Sequence, residues 1–250
     1  LGSWSFAVLI ALIAAMAMFE YMTILRHSGA EVVRTSSAIL SAAVVLLVWI
    51  DFHLGFHLGL FVVLLLALFS LRGSGQNMSL RAAGSIGGFV YIVGFLSTLV
   101  ILRKLLLPDA TWEGGIFTLY LMSLIWVCDT FAYLGGKKMG KRPLAPEISP
   151  KKTVEGAIFG LFGAMLWSLT GVLLLSEFLP WEFLVATAFV AGTIGQAGDL
   201  LESMFKRSAG VKDSGKLLPE HGGVFDRFDS LILTSPAVYL LAVAFGLIKF

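Results

Sequence analysis

The sequence predicts an all-α fold, a polytopic integral membrane helical bundle of about eight transmembrane helices. Two features of the composition carry that expectation. Hydrophobic residues make up 58% of the chain and charged residues 14%, against roughly 25% charged in soluble domains. Apolar runs of roughly 20 residues, the length that crosses a bilayer as a helix, recur from end to end. A third consideration is physical: backbone polar groups in lipid must bond within their own segment, which excludes loose strands.

The expected spans are 3–25, 35–50, 55–71, 82–107, 114–134, 154–176, 180–201 and 230–249. The first holds an acid, Glu20, inside an apolar run. The second and third are short and flank the segment Asp51–His57. His53 and His57 are four apart and could share a metal on a helix. No third ligand accompanies them, so they read as interfacial histidines. The fourth span carries Gly84 with Gly88, and the sixth Gly156, Gly160 and Gly163. Small residues at that spacing let helices approach closely. The fifth span carries Asp129, with Tyr133 one turn later and Gly135-Gly136-Lys137-Lys138 beyond. An acid at membrane depth faces a cavity or a partner. On that ground Asp129 reads as functional and Glu20 as a structural, hydrogen-bonded acid. The one cysteine, Cys128, excludes an internal disulfide and a Cys-rich metal site.

The expected organisation is one integrated membrane domain. Residues 1–110 supply N-terminal helices, and residues 111–250 supply a catalytic region with cytoplasmic loops 135–153 and 202–229. Orientation follows from Lys and Arg. If 198–229 is cytoplasmic, so are 26–34, 72–81 and 135–153, and these four stretches hold 15 of the 18 basic residues. That places Leu1 outside. No basic segment precedes the first apolar run, so no signal peptide is read, and a further N-terminal helix is expected ahead of it.

Residues 198–229 form the most polar long stretch, with four Asp, two Glu, five Lys or Arg, one His and five Gly. If Asp199 lies in the last turns of a helix, Glu202, Ser203 and Lys206 follow at i+3, i+4 and i+7 and share its face. Gly210 ends that helix. A charged turn, Lys212-Asp213-Ser214-Gly215, comes next, then His221-Gly222-Gly223, where glycine lets the backbone approach a ligand. Asp226 and Asp229 share a face if a new helix has begun. Carboxylates from two segments beside several cations suit Mg²⁺ and phosphate. A second basic stretch, 137–152, ends in Ser149-Pro150-Lys151-Lys152. Ser then Pro reads as a helix N-cap and first position, with two lysines in the first turn. Cations there oppose the helix dipole unless an anion sits with them. Phosphate binding and attraction to anionic headgroups both fit.

The spacing Ser203-x2-Lys206-Arg207-x4-Lys212-Asp213-x-Gly215-x2-Leu218-Pro219-x-His221-Gly222-Gly223-Val224-x-Asp226-Arg227-Phe228-Asp229 resembles the signature of phosphatidate cytidylyltransferases, the CDP-diacylglycerol synthases. Asp129-x2-Ala132-Tyr133, Ser149-Pro150-Lys151-Lys152-Thr153-x-Glu155-Gly156 and Gly198-Asp199 are similar to further family segments. The likeness covers the C-terminal half well and the first hundred residues only as helices. It implies transfer of a cytidylyl group from CTP to phosphatidic acid, with Mg²⁺ and room for a second cation, in the bacterial cytoplasmic (inner) membrane. It also implies a homodimer and no nucleic-acid partner. By the same resemblance Asp199 and Asp226 hold the metal, with Asp229 a further ligand or a water-mediated partner. Lys206, Arg207 and Lys212 meet the CTP phosphates. Ser203, Gly222 and Gly223 position the nucleotide, and Asp129 joins its site. Asp213 and His221 order the loop or touch substrate, and Lys151 and Lys152 meet the lipid phosphate or pyrophosphate. A CTP-using polyprenol or phytol kinase would share the nucleotide site. An ion-coupled transporter predicts paired discontinuous helices, which the sequence does not show. A CDP-alcohol phosphotransferase would need an Asp-rich motif with an Asp-Gly start, which is missing.

Overall fold

A computed structural model describes residues 3–30, 32–70, 78–106, 111–215 and 222–248. Among the described residues the chain forms eight helices: α1 Ser3–His27, α2 Arg34–Ile50, α3 Phe52–Ser70, α4 Met78–Leu105, α5 Thr111–Met139, α6 Val154–Leu175, α7 Trp181–Ser208 and α8 Phe225–Ala244. All except α2 are long and apolar enough to cross a membrane, as expected from the sequence. A short antiparallel hairpin, β1 Pro143–Ala145 and β2 Ser149–Thr153, joins α5 to α6.

The chain divides into two compact units, Leu1–Ile101 with Phe205–Phe228, and Leu102–Met204 with Asp229–Phe250. The polar stretch 205–228 therefore groups with the N-terminal helices.

In the first unit α1 packs on α2 and on α4. Its buried face mixes small or flexible residues, Ala7, Ala14, Ala17, Met18 and Met22, with larger ones such as Phe6, Ile10 and Tyr21. The expected glycine packing is visible in α4. A Cβ on Gly84 would come 2.7 Å from Leu25, and one on Gly88 would overlap the Tyr21 ring. The Tyr21 hydroxyl donates to the Gly84 carbonyl at 3.0 Å. A π-helical turn, Val90–Gly94, interrupts α4 and carries the buried Tyr91. Tyr21 and Tyr91 meet Phe205 and Phe225 edge to face, with ring centroids 5.5–6.3 Å apart. Each such pair contributes about 0.5–1.5 kcal/mol beyond its buried area. These rings tie both ends of the 205–228 stretch to α1 and α4.

In the second unit α5 and α6 run antiparallel and close together. Cβ atoms added at Gly156 and Gly160 would meet the Ala132 and Cys128 carbonyl oxygens at 2.8 and 2.9 Å, and one at Gly163 would overlap the Phe131 ring. α7 joins them through Gly192, set against Leu161 and Ala164, and the Tyr120 hydroxyl donates to the Leu184 carbonyl at 2.8 Å. Gly198 does the same for α8, where a Cβ would meet the Asp229 carbonyl oxygen at 2.8 Å. That close approach brings the acids of α7 and α8 together.

Candidate active site

The second unit holds an acidic cluster. Asp199 and Glu202, one turn apart on α7, and Asp229 on α8 each present a carboxylate oxygen within 4.8 Å of the others. Glu202 is buried and the two aspartates half-buried. The expected shared face of α7 is real: Ser203 lies 3.5 Å from Asp199 Oδ1. Three carboxylates this close repel one another, and one lysine, Lys152, reaches Asp199 Oδ2. The group fits a divalent cation by its donors. It supplies hard oxygen ligands only, and in octahedral Mg²⁺ coordination such oxygens lie roughly 3–4 Å apart, a small contraction from what is seen.

Beside it opens a cavity of about 650 Å³ whose wall includes Asp129, Tyr133, Lys151, Lys152, Gln196 and Asp199. Gln196 is held there by its own amide, which donates to the Ala157 and Gly192 carbonyls at 3.1 and 2.6 Å. The Lys137 ammonium sits 5.9 Å over the Tyr133 ring. The cavity thus offers cations, acids and apolar wall together, which suits a phosphorylated ligand with an apolar body.

The two lysines arrive differently from the sequence expectation. Ser149 does not cap a helix. Residues Ser149–Thr153 form β2, paired with β1 through Ala145↔Ser149 and Pro143↔Thr153. Thr153, in extended conformation, is the N-cap of α6 and accepts the Gly156 N–H at 3.1 Å. The physical reason lies in Pro150. It biases Ser149 to extended backbone, and in a two-stranded hairpin its missing N–H costs nothing if it faces outward. Lys151 and Lys152 therefore precede the helix, and the conflict with its dipole does not arise. Glu155, in the first turn of α6, closes the base of the hairpin. It accepts the Lys141 and Arg142 backbone N–H groups at 3.0 and 3.1 Å and the Arg142 Nε–H at 2.9 Å.

The first unit holds a second polar cluster, around Asp226. Asp226 Oδ1 accepts from the Lys206 ammonium at 2.7 Å. Its Oδ2 accepts the Ser214 N–H at 3.0 Å and the Gly223 N–H at 2.7 Å, with the Ser214 hydroxyl 2.9 Å away. The sequence expects Asp226 as a metal ligand; in its own unit its oxygens accept from Lys206, Ser214 and Gly223, while in the other unit Asp199 groups with Glu202 and Asp229. Gly222 has φ +78°, and a Cβ there would come 2.6 Å from Asp226 Oδ2. The glycine pair thus admits the chain's own carboxylate, where the sequence suggested a ligand. At the end of α7, Gly210 has φ +69° and its N–H bonds the Arg207 carbonyl at 3.0 Å, the left-handed helix end foreseen from sequence. Arg207, in the last turn before it, and Lys212 and Asp213, just after it, are exposed. His221 lies outside the described residues.

Sequence reasoning missed Gln196, named Glu155 only as part of a family-like segment, and read Glu202 only as a neighbour of Asp199. It read Glu20 as a structural, hydrogen-bonded acid, which it is, but did not identify its partners: Oε1 accepts the Val224 N–H at 3.0 Å and Oε2 the Phe225 N–H at 2.8 Å, with the Ser214 hydroxyl 2.9 Å from Oε2. An acid alone in an apolar helix was the one signal for it.

Comparison with known proteins agrees with the resemblance. The profile described as "Cytidylyltransferase family" matches residues 1–245. A phosphatidate cytidylyltransferase of Synechocystis sp. is 33% identical over 97% of this chain and 90% of its own length. Proteins of the same name from Staphylococcus aureus and Staphylococcus haemolyticus are 44% and 42% identical over 52% and 54% of this chain. The chain spans about half the length of these two relatives, 50% and 52%.

Proposed function

The chain belongs to the cytidylyltransferase family, and from that premise we propose that it transfers the cytidylyl group of CTP to phosphatidic acid, giving CDP-diacylglycerol and pyrophosphate. A phosphate oxygen of the lipid bonds to the α-phosphorus of CTP. The α–β anhydride bond breaks, and pyrophosphate leaves with the electron pair. The lipid phosphate is already an anion near neutral pH and needs little help from a base. The difficulty is bringing two anions together, which is a task of positioning and electrostatics.

One observation carries this reading. Lys151, Lys152 and Asp199 line one cavity between apolar helices, and Asp199 belongs to the close trio with Glu202 and Asp229. The trio would hold Mg²⁺, whose chemistry there is to draw charge from phosphate oxygens. Lys151 and Lys152 meet the lipid phosphate or the pyrophosphate. Lys206, Arg207 and Lys212 meet the CTP phosphates. Ser203 and Asp129 border the nucleotide, and Asp226 keeps the Gly222-Gly223 segment and Lys206 in place. We read the loops as cytoplasmic from the bias of basic residues, and a homodimer belongs to the same proposal.

The test is pyrophosphate release by purified protein given phosphatidic acid and each of the four nucleoside triphosphates, with and without Mg²⁺. Release with CTP and Mg²⁺ is expected. Transfer of the γ-phosphate to a long-chain alcohol would mark a kinase and overturn the reading. Light scattering in detergent checks the dimer.

A further inference from the structure

We infer that Glu20, on the first helix, is a positioning residue that sets the polar segments 211–215 and 222–226 and, through them, Lys206. The inference rests on the cytidylyltransferase reading for the word "positioning", and on the geometry alone for the loop.

Glu20 is 7% exposed and sits in the apolar run of α1, ahead of the basic last turn Arg26-His27. Its hydrogen bonds run to residues 194–205 positions away in sequence. Oε1 takes the Val224 N–H, and Oε2 takes the Phe225 N–H. These are donors at the start of α8 that no intrahelical carbonyl can satisfy, and a carboxylate there also complements the helix dipole. The Ser214 hydroxyl stands 2.9 Å from both Glu20 Oε2 and Asp226 Oδ2, so one side chain bridges the two carboxylates. Asp226 in turn holds Lys206. The chain of contacts is therefore Glu20, Ser214, Asp226, Lys206, without a gap.

Glu20 also accounts for glycine at two signature positions. A Cβ on Gly215 would come 2.5 Å from Glu20 Oε1, and one on Gly223 would overlap both Glu20 Oε2 and the Ser214 hydroxyl. The loop is shaped around the acid from α1. An acid whose part was only to stabilise α1 would not dictate the residues of a segment two hundred positions away.

The test compares full-length Glu20→Gln, Ser214→Ala and, as a control, Glu182→Gln, whose residue is exposed on α7. In Glu20→Gln the amide can place an N–H₂ against backbone donors that require an acceptor. Hydrogen–deuterium exchange in detergent should then speed up in peptides covering 211–228, with α5 and α6 unchanged. A loop displaced by about 1 Å can cost roughly 10²-fold in rate, so kcat should fall on that order while the KM for phosphatidic acid stays within twofold. Ser214→Ala should shift both readouts in the same direction by less, and Glu182→Gln neither. If Glu20→Gln does not fold, Ser214→Ala decides alone. Wild-type exchange and kcat in Glu20→Gln, or in Ser214→Ala where it decides, overturn the inference. If the wild-type protein releases no pyrophosphate, the cytidylyltransferase reading fails, and the exchange measurement still decides whether Glu20 sets the loop.

Discussion

The Lys206 ammonium lies 2.7 Å from Asp226 Oδ1, and both side chains are close to fully buried, 12% and 10% exposed. A buried pair of this kind is weak evidence of stability, since desolvation offsets much of the attraction, but removing one partner strands the other. Asp226→Asn should therefore lower turnover severely by releasing Lys206 and the Ser214 and Gly223 amides. It should leave the Mg²⁺ concentration for half-maximal activity within about threefold of wild type. Asp199→Asn should raise that concentration at least roughly tenfold, since even outer-shell partners of a metal cost about 10–100-fold when lost. Mg²⁺ titrations of the two variants separate a loop role from a ligand role. A large Mg²⁺ shift in Asp226→Asn would return it to the metal.

The acid trio makes a prediction that needs no substrate. Whatever binds only the folded state stabilises it, by about 2.7 kcal/mol at a hundredfold excess over Kd. Mg²⁺ should raise the melting temperature of the wild-type protein in detergent by a few degrees, and chelation should reverse it. Asp229→Asn should melt higher than wild type without Mg²⁺, because one of three mutually repelling carboxylates is gone, and should respond less to the ion. Thermal scans with and without Mg²⁺ for the two proteins check both halves.

The fold was legible because lipid imposes it: a long apolar run has few alternatives to a helix, and seven of the expected spans match helices of spanning length. The site was legible where its residues share one helix, as Asp199, Glu202 and Ser203 do. It was not legible where pairing is distant. Nothing near Glu20 announces that its partners are residues 214, 224 and 225. Asp226 and Asp229 look equivalent in sequence, three apart on one helix, yet one bonds backbone amides and the other joins the acid trio. Ser149-Pro150 misled because Ser then Pro serves helix starts and extended hairpin strands alike. The choice was made by β1, three residues long, which sequence periodicity cannot register.

Glu155 ties the hairpin to α6 by three hydrogen bonds. Its side chain is only half-buried, so Glu155→Gln should lower the melting temperature by no more than a few degrees. The hairpin carries Lys151 and Lys152, however, and their aim depends on its base. Glu155→Gln should lower kcat/KM for phosphatidic acid by about tenfold, with a smaller effect on the KM for CTP. Steady-state kinetics in mixed micelles, varying each substrate in turn, read the difference. An equal loss against both substrates would place the hairpin's role elsewhere.

Gly160 faces the Cys128 carbonyl oxygen at 2.9 Å and the Ala132 methyl at 3.0 Å from where its Cβ would be. Neither neighbour can move without shifting α5, since one is backbone and the other a side chain with no freedom. Asp129 sits on α5 between them in sequence. Gly160→Ala should therefore push α5 outward by a few tenths of an ångström and move Asp129 with it, lowering activity about tenfold. Gly160→Val adds branched bulk and should cost about 1–3 kcal/mol, the usual range for overpacking. Small-residue contacts are also what lets membrane helices associate at all, so the valine variant should express poorly and elute as aggregate. Gly87 on α4 supplies the contrast: a Cβ there meets nothing within 4 Å. Gly87→Ala should express, elute and turn over like wild type. Size-exclusion profiles and pyrophosphate release for the three variants test the ordering, and a Gly160→Val protein as active and monodisperse as Gly87→Ala would remove the close α5–α6 contact from the account.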